Sequence, residues 1–178
     1  RLQKAILDIA SKEDPFDVFI CYKETAEDGQ RTKDSVMAQD IYDRLTDKGY
    51  KVFFSRITLE SKLGSEYEPI IFAALQSSKV MLVIGTKEEY FNAPWVKNEW
   101  SRFISMMADD SSKILIPCYK NMDAYDIPDE FSNMQALDMG DVTFFRSLTE
   151  NVERILGGAI RYTPKESVII SPSNEDVE

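Results

Sequence analysis

Hydrophobic positions along this chain follow two alternating rhythms. Short, nearly unbroken apolar runs recur at FDVFICY (Phe16–Tyr22), YKVFFS (Tyr50–Ser55), KVMLVIGT (Lys79–Thr86) and KILIPCY (Lys113–Tyr119), with a weaker run at MQALDM (Met134–Met139). Runs of this length without polar alternation predict strands covered on both faces. Between them the apolar residues take helical spacing: Val36, Met37, Ile41 and Leu45; then PIIFAAL from Pro69; then Val96, Trp100, Phe103, Ile104 and Met107; then Leu148, Val152, Ile155 and Leu156. The punctuation agrees. Asp28-Gly29 marks a turn, Asp34-Ser35 predicts a helix cap, Pro94 opens a helix, and Gly49 and Gly157-Gly158 stop the helices before them. Residues 120–133, with Pro128, read as irregular. Strands alternating with helices predict an α/β fold, a five-stranded parallel sheet with helices on both faces. Residues 15–160 form this unit. Residues 1–14, with Leu2, Ala5, Ile6 and Ile9, read as a linker or helical stub, and residues 161–178, ending SPSNEDVE, as a disordered acidic tail.

Composition narrows the function. The 178 residues suit one domain with a sizeable core, and a 43% hydrophobic share is ordinary for a globular protein. No apolar run approaches the roughly 18 residues of a membrane helix, and the N-terminus carries no signal-type block. The first residue is Arg1, not Met, so the chain is expected to be a piece of a longer protein. The net charge of −10 repels nucleic-acid backbones and anionic lipid; a small anionic substrate needs a local positive patch. Cys21 and Cys118 lie in apolar runs and read as buried, reduced thiols of a cytoplasmic protein. The chain contains no histidine. Histidine triads, histidine metal sites and histidine bases are therefore excluded, and any chemistry falls to carboxylates, lysine, tyrosine or a lone nucleophile.

In sheets of this kind ligands bind beyond the carboxyl ends of the strands. The residues so placed are Tyr22-Lys23-Glu24, Ser55-Arg56, Gly85-Thr86 and Tyr119-Lys120. No G-x-G-x-x-G follows the first strand and no phosphate loop of the G-x-x-x-x-G-K-[ST] type occurs. The acidic residues of a phospho-receiver are also missing from their places, since Asp17 precedes the core of strand one and strand three ends in Gly85-Thr86.

Four stretches in order, FDVFICYKE, SRITLESKLG, GSEYEPIIFAALQSSKVMLVIGT and PWVKNEW, resemble a Toll/interleukin-1 receptor (TIR) domain of the bacterial type. The likeness runs from Phe16 to Gly157. It implies a flavodoxin-like sheet and, in the branch of the family that it resembles, cleavage of NAD+ at the nicotinamide–ribose bond. The products would be nicotinamide and ADP-ribose or a cyclic ADP-ribose signal, with NAD+ as substrate and no cofactor. The resemblance assigns the catalytic carboxylate to Glu68, in the first turn of the second helix. The residues themselves offer a second reading: Ser65-Glu66-Tyr67-Glu68 is S-x-x-E, a capping box, although Pro69 fits better at the first helical position.

Tyr22 and Lys23 match positions that border the nucleotide. Ser55 stands where many NAD+-cleaving relatives carry aspartate, Arg56 is placed to pair with the pyrophosphate, and Trp95 matches the tryptophan of the family's WC-x-x-E motif. In that motif Val96 replaces the cysteine and Glu99 is retained. The loop Arg56–Leu63 matches a self-association surface. The family likeness further implies TIR–TIR assembly, an upstream sensor domain or partner protein, a role in bacterial anti-phage immunity, and no direct contact with nucleic acid or membrane. The alternative function is a non-enzymatic TIR–TIR adaptor; a third is a domain that senses NAD+-derived signals without cleaving NAD+.

Overall fold

The structure, a computed structural model, describes residues 3–4, 7–8, 14–59 and 66–157. Five strands, β1 (Val18–Cys21), β2 (Val52–Phe54), β3 (Val80–Gly85), β4 (Ile114–Tyr119) and β5 (Leu137–Asp138), form one parallel sheet in the order β2-β1-β3-β4-β5. The strand order reverses between β1 and β3, which puts the ligand crevice of such folds beside the carboxyl end of β1. Among the described residues four longer helices cover the sheet: α1 (Lys33–Asp47), α2 (Tyr67–Ser77), α3 (Pro94–Asp109) and α4 (Phe144–Leu156). The predicted fold class holds.

Alternate strand residues feed two separate cores because successive side chains of a strand point to opposite faces. Val18, Ile20, Phe54, Leu82 and Ile84 pack against α1 and α4 through Ile41, Leu45, Leu148 and Val152. Phe19, Cys21, Phe53, Met81 and Val83 pack against α2 and α3 through Ile70, Leu75, Val96, Trp100 and Phe103. Burial on both faces explains why the strands read as continuous apolar runs.

Several local expectations are corrected. The cap of α1 is Thr32, not the Asp34-Ser35 pair: its hydroxyl accepts from the Ser35 amide at 2.9 Å. Asp34 is instead fully buried and reaches across to the end of β3, where it accepts from the Thr86 amide (3.0 Å) and hydroxyl (2.6 Å). Burial raises its carboxyl to about 6, against the pull of those two donors. Val36 is 56% exposed, so the inner face of α1 is Ala38, Ile41 and Leu45. Gly49 does end α1 as expected, in the left-handed conformation (φ 95°) that glycine adopts without strain. The fifth strand shrinks to two residues, pairing only with Cys118 and Tyr119. Ser65 and residues 1–2, 5–6 and 9–13 of the N-terminal stub lie outside the described residues, as does the whole acidic tail.

Gly85 closes β3 against the ring of Phe91, where a Cβ would stand 2.3 Å from Cε2. That ring cannot retreat easily. It is fully buried, sits edge-on to Phe131 at 6.0 Å, and its backbone carbonyl holds the Trp100 indole at 2.9 Å. Gly85→Ala is expected to destabilise the fold by about 1–3 kcal/mol through overpacking. A calorimetric melt should show the midpoint lowered by several degrees.

Candidate functional site

A cavity of about 430 Å³ opens where the sequence pattern places ligands, at the carboxyl ends of β1 and β2. Its walls come from Tyr22, Lys23, Glu24 and Thr25 after β1, Ser55 after β2, and the start of α3 from Ala93 to Val96, with Glu99 one turn further along. Four of the residues expected from sequence, Tyr22, Lys23, Ser55 and Trp95, are thus brought together in one cavity.

Tyr22 organises the wall between the first two strands. Its ring is buried beside Phe54, 5.2 Å between centroids. Its hydroxyl donates to Glu24 Oε1 at 2.8 Å while accepting from the Ser55 hydroxyl at 3.0 Å and the Arg56 amide at 3.1 Å. Burial pushes the phenol up, so it remains a neutral donor. Ser55 is therefore spent on holding Tyr22. Arg56 forms a close ion pair with Glu24 at the rim.

Glu24 gathers more donors than any other group at the site. Besides Tyr22 and Arg56 it accepts from the Ser35 hydroxyl at 2.9 Å and lies 3.9 Å from Arg31 Nε. The segment from Glu24 to Thr32 is itself folded back by a bridge between Thr25 and Arg31. The Thr32 amide donates to the Glu24 carbonyl at 3.1 Å.

Glu99, marked in the sequence only as the last residue of a motif, completes the lining. It is 6% exposed at the base of the cavity. Burial raises its carboxyl to about 7, against hydrogen bonds from the side chains of Cys21 and Trp95 that hold it down. The Cys21 sulfur, fully buried on β1, also lies 3.4 Å from the Val96 carbonyl, a second acceptor for its single proton. The burial and the neighbouring Glu99 charge both push the thiol up, so it stays protonated. A signal for Glu99 was present in the sequence. Val96, Glu99, Trp100 and Phe103 fall at the i, i+3, i+4, i+7 positions of one helical stripe, so the buried face of α3 carries one acid. An acid there is either paired or shifted, and such groups concentrate at functional sites.

Glu68 is placed elsewhere. It sits in the first turn of α2, exposed, and does not line the cavity. Among the described residues no hydrogen bond or ion pair holds its side chain. The capping box is also replaced: the cap of α2 is Glu66, without a side-chain cap bond, which makes Glu68 the second helical residue and Pro69 the third. Pro69 is tolerated there because the amides of a first helical turn have no partner within the helix.

Trp95 is 59% exposed and lines the same cavity as Lys23, offering a flat apolar face. Among the described residues no cluster of His, Cys, Asp and Glu is placed to hold a metal, and no helix is long and apolar enough to cross a membrane. The arrangement suits a small organic molecule: a cavity of the usual ligand size, an exposed aromatic face, a lysine on one wall with Arg56 nearby, and a buried acid.

The family profile described as TIR domain matches residues 18–156. No curated protein sequence matches the chain. Among solved structures it is similar to the TIR domain of the Toll-related receptor TRR-2 from Hydra magnipapillata, at 19% identity and a TM-score of 0.54, covering 78% of this chain and 98% of that one. It is also similar to a metazoan TIR-STING receptor from C. gigas, at 17% identity and a TM-score of 0.53, covering 79% of this chain and 40% of the receptor. At these identities the two structures speak for the fold alone. With the profile spanning most of its length and the sheet order its fold requires, the chain belongs to the TIR domain family.

Proposed function

We propose that this domain cleaves NAD+ at the nicotinamide–ribose bond, releasing nicotinamide and ADP-ribose or a cyclic ADP-ribose, with Glu99 rather than Glu68 as the working carboxylate. The observation that carries this reading is the buried acid that lines the cavity together with Lys23 and an exposed indole. The nicotinamide of NAD+ is positively charged and leaves as a neutral base. The reaction therefore needs no proton donor at the leaving group, unlike the paired-carboxylate hydrolysis of O-glycosides. It needs a fixed negative charge near the ribose, where oxocarbenium character develops, and a site with little water makes that charge more effective. Ionised Glu99 supplies it. Trp95 offers a stacking face to one of the two rings. Lys23 and Arg56 face the diphosphate. Tyr22 and Ser55 shape the wall rather than touch the reacting atoms. Glu68, at the start of α2, keeps a favourable interaction with the helix dipole.

The family resemblance extends the reading to a bacterial, cytoplasmic immune effector that is switched on when copies of the domain associate, under an upstream sensor domain or partner protein. The exposed Trp95 favours such a composite site, since a neighbour can cover it. Incubation with NAD+ at rising protein concentration tests both parts. Specific activity, measured as nicotinamide released per mole of protein, is expected to climb with concentration, and mass spectrometry of the other product separates ADP-ribose from its cyclic forms. Constant specific activity would remove self-association from the mechanism. No release at any concentration would favour the adaptor function.

A further inference from the structure

The cavity wall holds more positive charge than it shows. Two arginines, Arg31 and Arg56, flank the carboxylate of Glu24, and Lys23 lines the same cavity, so that three cations gather here in a chain of net charge −10. The three are not held alike. Arg31 is anchored on α1, donating to the Ser35 hydroxyl (2.9 Å), the Ser35 carbonyl (3.1 Å) and Gln39 Oε1 (2.9 Å). Among the described residues no bond is made by the Lys23 ammonium. Arg56 has Glu24 as its one side-chain partner among the described residues, and its side chain is 41% exposed.

Glu24 is asymmetric in the same way. Its Oε1 is held by Tyr22 and Ser35, both fixed parts of the wall, while its Oε2 faces the two arginines. If Arg56 turned away, Glu24 would keep Tyr22, Ser35 and Arg31, and no buried charge would be stranded. Ion pairs this exposed contribute little net stability, so exchange costs little.

We propose that Glu24 is a built-in counter-anion, and that the diphosphate of the bound dinucleotide displaces it from Arg56. The exchange rests on the reading of the cavity as a dinucleotide site. It also makes the site selective. A monoanion offers Arg56 nothing that Glu24 does not already provide. A diphosphate offers several oxygens to a planar guanidinium and to the Lys23 ammonium at once. Glu24 thereby holds the cationic wall empty until a phosphate-bearing ligand arrives, and sets how tightly that ligand is held.

Calorimetric titration of inorganic pyrophosphate into the full chain tests this without NAD+ cleavage. Glu24→Gln removes one negative charge within a few ångströms of the seat and is expected to tighten pyrophosphate binding about tenfold. In the Arg56→Gln background the same change is expected to bring little of that gain, because the contested cation is gone. An unchanged or weaker affinity for Glu24→Gln, or a full gain without Arg56, would overturn the exchange. Should Glu24→Gln fail to fold, the wild-type protein still decides: the Arg56 side-chain Nε–H resonance must move on addition of pyrophosphate but not of acetate, and a stationary signal refutes the proposal. Failure of the enzymatic reading looks different, since pyrophosphate would then still exchange with Glu24 while nicotinamide release was absent or indifferent to Glu99.

Discussion

Replacing Glu99 by glutamine is expected to lower nicotinamide release at least about 100-fold, as removal of a group that stabilises transition-state charge does in other enzymes, while Glu68→Gln stays within about twofold of wild type. The contrast follows from position. One carboxylate lies buried at the base of the cavity and the other is exposed outside its lining. Equal loss in both variants would return Glu68 to the mechanism; loss in Glu68→Gln alone would reject Glu99. The pH dependence carries the same assignment. The working form is the ionised one, so kcat/KM should rise with pH through about 7, the value to which burial raises Glu99. In the complex the cationic nicotinamide lies nearby and favours ionisation, so the limb in kcat should sit lower.

The same group has a stability signature. Its pKa is raised on folding, from 4.5 to about 7, so between these values the native state binds more protons than the unfolded chain. The stabilisation present below pH 4.5 is lost as pH rises to 7, up to about 3 kcal/mol. Glu99→Gln, uncharged throughout, should flatten that slope and melt higher than wild type at pH 8. A variant that is less active and more stable is the expected mark of a residue kept for chemistry.

Lys113→Met is expected to be the most destabilising of these substitutions, by about 3–5 kcal/mol, through loss of charge-assisted bonds and exposure of unpaired acceptors. Lys113 is 5% exposed, just before β4, yet its ammonium caps the end of α2. It donates to the carbonyls of Leu75 (3.0 Å), Gln76 (2.9 Å) and Ser78 (2.5 Å) and lies 4.8 Å from the centre of the Phe103 ring. The Leu75 and Gln76 carbonyls have no partner within the helix because they lie in its last turn, and Ser78 is the residue that caps it. Methionine fills the volume and satisfies none of them. Burial lowers the ammonium to about 8, the Asp110 charge opposing and Lys79 assisting. With the pKa depressed, the native state binds fewer protons than the unfolded chain from about pH 8 to 10.5. This part of the wild-type stability therefore rises with pH over that window and is absent from Lys113→Met. Urea melts at pH 7 and pH 9.5 measure both effects. A loss below 1 kcal/mol at pH 7 would show that the cap is dispensable.

Much of this protein was legible in its sequence because both faces of the sheet are covered. Continuous burial wrote the strands as unbroken apolar runs, and helical spacing wrote the helices between them. The parallel sheet then followed from alternation, and the ligand position from the carboxyl ends of the strands. Tyr22, Lys23, Ser55 and Trp95 could be singled out on that basis and on family likeness, and they do share a cavity.

What linear order left open was decided by contacts far apart in the chain. Glu68 and Glu99 both stand near the start of a helix, and sequence likeness pointed to the first. Only the packing of α3 against Cys21 on β1 removes Glu99 from water and puts it under the cavity. The roles of Glu24, Asp34 and Lys113 were equally hidden. Each has a partner 32 to 52 positions away: Arg56 for Glu24, Thr86 for Asp34, and Leu75, Gln76 and Ser78 for Lys113. Periodicity reports which side of an element faces the core, since burial of apolar area is non-directional and leaves its mark on neighbouring residues. A charge's partner is set by direction and distance in the folded chain, and leaves none.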